Sequence, residues 1–164
     1  MAAVYYKNSD ILNHLFDQHY DMNMEKLLHM SDTEKRNILH LAILSKDETI
    51  ITDVLNRIRT KESVLKKLCV GKDNKERTPL HLAAKHIQSK NLAKTFAELY
   101  SDSDLTLRDE KGQTPFHIAS YNGNNDMIEA LYKRDKEGQD VSLLEQTDID
   151  QNSPLHLAAL NKVN

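Results

Sequence analysis

Apolar residues along this chain recur in paired segments with the three-to-four-residue period of a helix face. Leu39, Leu41, Ala42 and Ile43 mark one stripe, and Ile50, Ile51, Val54, Leu55 and Ile58 mark the next. The pair returns as Leu80, Leu82 and Ala83 followed by Leu92, Ala93, Phe96, Ala97 and Tyr100, the second stripe displaced by one inserted residue. It returns again as Phe116, Ile118 and Ala119 followed by Met127, Ile128, Leu131 and Tyr132. Each pair predicts two short helices, neither of which can bury its apolar face alone. Stacking the pairs side by side would bury it, which predicts an all-α array stable only as an array.

The first helix of each pair opens on a repeated signature. Asn37-Ile-Leu-His-Leu-Ala42, Thr78-Pro-Leu-His-Leu-Ala83, Thr114-Pro-Phe-His-Ile-Ala119 and Ser153-Pro-Leu-His-Leu-Ala158 start 41, 36 and 39 residues apart, each five residues after an aspartate: Asp32, Asp73, Asp109 and Asp148. The hydroxyl of Thr78, Thr114 or Ser153 can cap the first free N–H groups of a helix. Pro79, Pro115 and Pro154 fall at the first helical position, where φ is already set and no donor is lost. Asn37-Ile38 replaces Thr-Pro in the first copy; asparagine still caps, which predicts a helix with a softer start.

These residues resemble the ankyrin repeat, whose T-P-L-H-x-A core the second and fourth copies carry almost unchanged. The resemblance implies a solenoid of stacked helix pairs with short hairpins between them. It divides the chain into a degenerate N-terminal capping repeat at 1–31, repeats at 32–72, 73–108 and 109–147, and a partial repeat at 148–164. In 1–31, Ser9 or Asp10 can cap a helix carrying Ile11, Leu12, Leu15 and Phe16, with Met24, Leu27 and Leu28 on a second; a docking peptide is the alternative reading. The fourth signature has no second helix after it, so a fragment of a longer repeat protein is the expectation. The hairpin wants glycine three residues after the aspartate, where φ is positive. Only Gly112 supplies it; Lys35, Glu76 and Gln151 stand at the other three places, and the turn between paired helices has its glycine only at Gly123. Strained or rearranged turns are expected outside the third repeat. The two largest spacings, 41 and 39, exceed the family period of about 33 residues the most, which places insertions near 60–72 and 135–147. Val64, Leu65 and Leu68 in the first, and Val141, Leu143 and Leu144 in the second, predict that both pack onto the stack.

The resemblance further implies that the signature histidines, His40, His81, His117 and His156, hydrogen-bond neighbouring loops and order the stack. Spaced a repeat apart, they do not converge as metal ligands do. Cys69 is the sole cysteine, so it supports neither an internal disulfide nor a cysteine-based zinc site, and no base-orienting group accompanies it as a nucleophile would require. Neither a phosphate-binding glycine loop nor a hydrolase signature occurs. A non-enzymatic chain with no cofactor and no small-molecule substrate is the expectation. At 164 residues, 39% hydrophobic and 29% charged, the composition is that of one globular intracellular domain, expected in the cytoplasm, with the nucleus or, for an effector, a host's cytoplasm as the alternatives. Its net charge of −3 argues against direct nucleic-acid binding, and its apolar runs are too short to insert in a membrane.

What remains is protein binding. In the family, residues on hairpin tips and at the end of each first helix line a concave face. Carried over, they are Thr33, Glu34, Arg36, Leu44 and Ser45 in the first repeat, and Asn74, Lys75, Arg77, Lys85 and His86 in the second. The third supplies Glu110, Lys111, Gln113, Tyr121 and Asn122, and the fourth Ile149, Asp150, Asn152, Leu160 and Asn161. Arg77 and Tyr121 are of the types that anchor interfaces. Charge is uneven as well. From 56 to 77 there are eight Lys or Arg against three acids, whereas from 135 to 150 there are six acids against Lys136. Such polarity can orient a partner.

Within the family, Arg36-Asn-Ile-Leu-His-Leu-Ala-Ile43, the long insertion after it and the uneven spacing are similar to the opening of inhibitor-of-NF-κB proteins. The chain departs from them in having no Asp-Ser-Gly phosphodegron before the repeats and no acidic Pro/Ser-rich tail. The resemblance leaves open a module masking a transcription factor, in a version not regulated by induced degradation. It also leaves open an ankyrin segment of a larger protein, such as an ion channel's cytoplasmic arm or a secreted bacterial effector.

Overall fold

A computed structural model describes residues 30–137 and 142–161; the readings made for 1–29, including the N-terminal cap, and for Val141 lie outside these residues. Eight α-helices and one 3-10 helix occur among the described residues, with no strand. They are α1 (Ile38–Ser45), α2 (Glu48–Ile58), α3 (Glu62–Val70), α4 (Pro79–His86), α5 (Lys90–Leu99), α6 (Pro115–Asn122), α7 (Asn125–Glu137) and α8 (Pro154–Asn161), with the 3-10 turn at Asp102–Thr106 after α5.

Each signature starts its helix by a reciprocal cap. In α4, the Thr78 hydroxyl and N–H both meet His81 Nδ1, at 2.8 and 3.1 Å, and Pro79 takes the first helical position. Asn37 opens α1 more firmly than its sequence predicts. Its Oδ1 accepts the N–H groups of Leu39 and His40, and its Nδ2 donates to the carbonyl of Leu68 at the end of α3. Asparagine has the extra donor that threonine lacks, so the first cap also ties down the insertion.

The helices α1, α4, α6 and α8 pack in one row, with α5 against α7 in a second. The buried apolar side chains from Ile38 to Leu143 form one continuous core among the described residues, with Phe96, Tyr100 and Phe116 its largest members. Both insertions pack in their described parts, the second through Leu143. Helix α3 contacts α1, α2 and α4, filling the junction between the first two repeats with Val64 and Leu68. In the later one Leu143 is buried, its N–H donating to Asp135 Oδ1 at 3.0 Å. Leu144 and Tyr132, expected to pack, are instead exposed. Tyr132 sits one position beyond Leu131 on α7, which turns it out of the stripe that Met127 and Leu131 bury.

The turns are strained but not rearranged at the hairpins. Lys35, Glu76 and Gln151 hold φ of 57°, 58° and 62°, matching Gly112 at 70°. A left-handed conformation costs a non-glycine residue about 1–2 kcal/mol, so the surrounding bonds must impose it. The turn between paired helices behaves differently. Lys46 and Gly123 are left-handed, but in the second repeat Ile87 is extended at φ −86° and the turn opens. Asn124 of the next repeat closes the gap, donating from Nδ2 to the carbonyls of Ala84 and Ile87 while its Oδ1 caps Met127 N.

Candidate functional site: the hairpin face

The upstream aspartates build the hairpins. Asp73 Oδ1 accepts the N–H groups of Lys75 and Arg77 at 2.8 and 3.0 Å, and Asp32, Asp109 and Asp148 repeat the pattern. The main-chain N–H of each aspartate donates to the carbonyl four residues on, closing the loop. Successive hairpins then join through the backbone: Asn74 N to Glu34 O, Glu110 N to Lys75 O and Ile149 N to Lys111 O, at 2.9–3.1 Å. This ladder and the aspartate anchors hold the left-handed residues in place.

The histidines link the same hairpins to the helix row. His40, His81 and His117 are fully buried, each Nε2–H donating to the hairpin carbonyl of the next repeat, at Arg77, Gln113 and Asn152. Burial pushes the His81 imidazole down to about 4 and also lowers His40 and His117, so all three are neutral at physiological pH. His156 keeps the bonds to Ser153 but is exposed.

On this frame the tips project. Thr33, Glu34, Asn74, Lys75, Glu110, Lys111, Ile149 and Asp150 are exposed, as are Lys85, Tyr121, Asn122, Leu160 and Asn161 at helix ends. Leu44, His86, Gln113 and Asn152 are half-buried. Three expected contact residues have structural work. Ser45 is buried, with Oγ donating to the Ala42 carbonyl and accepting from Asp47 N–H, so it closes the turn after α1. Arg36 and Arg77 grip their own hairpin aspartates, Arg77 Nη2 lying 2.7 Å from Asp73 Oδ2. Burial pushes the Asp73 carboxyl up, but the Arg77 side chain and the N–H groups of Arg77 and Lys75 outweigh it and hold it below 3.8.

Eight of the expected residues meet in one groove of about 250 Å³ between the second and third hairpins: Lys75, Arg77, Lys85, Glu110, Lys111, Gln113, Tyr121 and Asn122. Asp109 and Ile118 complete its wall. Ile118 was not legible as a surface position, because Leu41 and Leu82 at the equivalent places are buried. The first-repeat residues, Asn74, His86 and the fourth-repeat residues stand outside this groove. A second, wider groove of about 620 Å³ runs between α5 and α7 on the other side of the stack, lined by Lys90, Lys94, Glu98, Asp126, Glu129 and Lys133 among others. It is bridged by the exposed Lys90–Glu129 ion pair, 3.2 Å, a contact of small energetic weight.

The chemistry-bearing side chains are taken up by the architecture. Cys69 is buried against Tyr100, and burial pushes its thiol up to about 11. Among the described residues no group of three or more His, Cys, Asp or Glu is placed to hold a metal, and no helix is long and apolar enough to cross a membrane.

Stacked helix pairs, a hydrogen-bonded hairpin ladder and a groove between successive hairpins define an all-α repeat solenoid. The chain belongs to the ankyrin-repeat family, whose description "Ankyrin repeats (3 copies)" matches residues 1–109 and 87–164. Among curated relatives, NF-kappa-B inhibitor alpha of Rattus norvegicus is 30% identical over 125 residues, covering 76% of this chain and 38% of that protein. Inversin of Canis lupus familiaris is 29% identical over 132 residues, covering 80% of this chain and 11% of inversin. The chain therefore spans well under half the length of either relative. Ankyrin repeats are a protein-interaction module.

Proposed function

We propose that this chain is a non-enzymatic interaction module that binds a folded protein partner across the hairpin face, with the groove between the second and third repeats at the centre of contact. The observation that carries the reading is the groove itself: two neighbouring repeats present exposed side chains there that the core does not need. Ankyrin membership supports it. The intracellular, cytoplasmic setting expected from composition belongs to the same proposal, as do the absence of a small-molecule substrate and of direct nucleic-acid or membrane contact. A photo-crosslinking residue at Tyr121 should capture a partner in cells, and one at Lys133 in the α5–α7 groove should not. Capture from Lys133 alone would overturn the proposal and move the interface to the other side of the stack.

A narrower reading, an NF-κB-type inhibitor that masks a transcription factor, is supported by the relative named NF-kappa-B inhibitor alpha and by the Arg36–Ile43 run. Inversin matches at nearly the same identity over slightly more of the chain, so this reading needs its own test. Purified NF-κB subunits should then bind the chain and lose binding to DNA; no complex with them would end it.

A further inference from the structure

We propose that the hairpin-side groove takes a short acidic segment of the partner protein, its carboxylates held by Lys75, Lys85 and Lys111 and an apolar residue seated against Ile118 and Tyr121. This rests on the reading above and adds the chemistry of what binds.

The groove's three lysines are uncommitted. Lys75 and Lys111 use their backbone groups in the hairpin ladder, but their ammonium groups, like that of Lys85, meet no partner among the described residues. Several basic residues elsewhere in the stack are paired, as Lys72 is with Glu76 and Lys90 with Glu129, and within the groove Arg77 is held by Asp73. The acids beside the groove are mostly turned inward. Asp109 accepts the N–H groups of Lys111 and Gln113, and Asp73 holds Arg77, which leaves Glu110 as the one lining carboxylate with no hydrogen bond among the described residues.

Beside the groove the field is positive as well. His86, at the end of α4, is pushed down to about 4 first by burial and then by three cations around it, Lys85, Lys46 and Arg77. Shape narrows the ligand further. At about 250 Å³ the groove lies below the roughly 300–1,000 Å³ of pockets that enclose small molecules. It is suited instead to side chains of an extended segment crossing between two hairpins. Its apolar part is Tyr121, 44% exposed, beside half-buried Ile118, and a rigid aromatic can contact a partner side chain at low entropic cost. Carboxylates above three free ammonium groups would speed and orient docking, and salt would weaken it.

The test is selection of a displayed library of random dodecapeptides on the immobilised 164-residue chain, with fluorescence anisotropy on the labelled winners. Enriched peptides should carry Asp or Glu around an aliphatic or aromatic residue, bind more weakly as salt rises, and lose about tenfold or more in affinity to the K75E/K85E/K111E variant. Should that variant fail to fold, the K75Q/K85Q/K111Q variant removes the charges without adding repulsion, and K133E serves as the unaffected control. Winners without acidic residues, or winners that keep their affinity in the lysine variants while losing it in Y121A, overturn the acidic-segment proposal and leave docking on this face standing. Winners indifferent to both sets of changes overturn both. Displacement of the acidic peptide by single-stranded DNA of equal charge would reassign the groove to general polyanion binding. Self-association of the chain abolished by the lysine changes would reassign it to a second copy. Either result overturns the proposal.

Discussion

Replacing His81 by alanine removes a side chain that works in two repeats at once. Its Nδ1 accepts the N–H and hydroxyl of Thr78 at the start of α4, and its Nε2 donates to the Gln113 carbonyl one repeat on, at 3.0 Å. The imidazole is fully buried, so truncation leaves the Thr78 donor without water to replace it. An orphaned buried group costs about 1–3 kcal/mol. The half-buried Gln113 carbonyl can recover part of its share from solvent, and the void adds to the loss, giving about 2–4 kcal/mol in all. For a chain of this size each kcal/mol moves Tm by about 2–4 °C, so His81→Ala should melt roughly 4–16 °C lower by far-ultraviolet circular dichroism. Titration supplies a second readout. Burial holds His81 at about 4, beneath 6.5 for a free imidazole. The unfolded chain therefore binds more protons between those values. Stability from this site is complete above 6.5 and is lost as pH falls toward 4, at up to about 1.4 kcal/mol per pH unit. The variant should show a shallower loss across that window. A variant that melts with the parent and keeps its pH slope would refute the structural role assigned to the histidine row.

Arg77→Glu should destabilise the fold by about 2 kcal/mol, beyond the surface-type effect that an exposed tip residue would show, because it sets a second carboxylate against the buried Asp73; urea titration measures it, and an unchanged midpoint would dismiss the pairing. Lys35→Gly should stabilise by about 0.5–1 kcal/mol in the same assay by releasing a left-handed strain at φ 57°, and a loss of stability would contradict that account. Cys69, at 2% exposure with its thiol raised to about 11, should resist a thiol-labelling reagent in the native chain and react on unfolding; fast native labelling would refute its burial.

The sequence by itself determined everything that is settled within a few residues. The hydroxyl and proline of the last three signatures mark a cap and a first helical position, so the helix starts at Pro79, Pro115 and Pro154 were legible, and the regular apolar stripes declared the paired helices. The hairpins were expected from the ankyrin resemblance, and the structure shows that each upstream aspartate anchors its own by binding N–H groups within four residues. Tertiary structure decided whatever depends on a neighbour 30 to 40 residues away. The left-handed turns at Lys35, Glu76 and Gln151 persist because the ladder between hairpins holds them, and no local pattern records that ladder. The open turn at Ile87 survives because Asn124 of the following repeat reaches back to it. The candidate site divides along the same line. The row of tip positions came from the repeat pattern, but which residues remain free was settled by distant partners and burial. Asp73, 2% exposed at its side chain, withdraws Arg77 from the surface, and the turn after α1 takes in Ser45. Lys75, Lys85 and Lys111 line one groove because the stack brings two hairpins together there, and among the described residues none of the three is paired with a carboxylate, Glu110 beside them included.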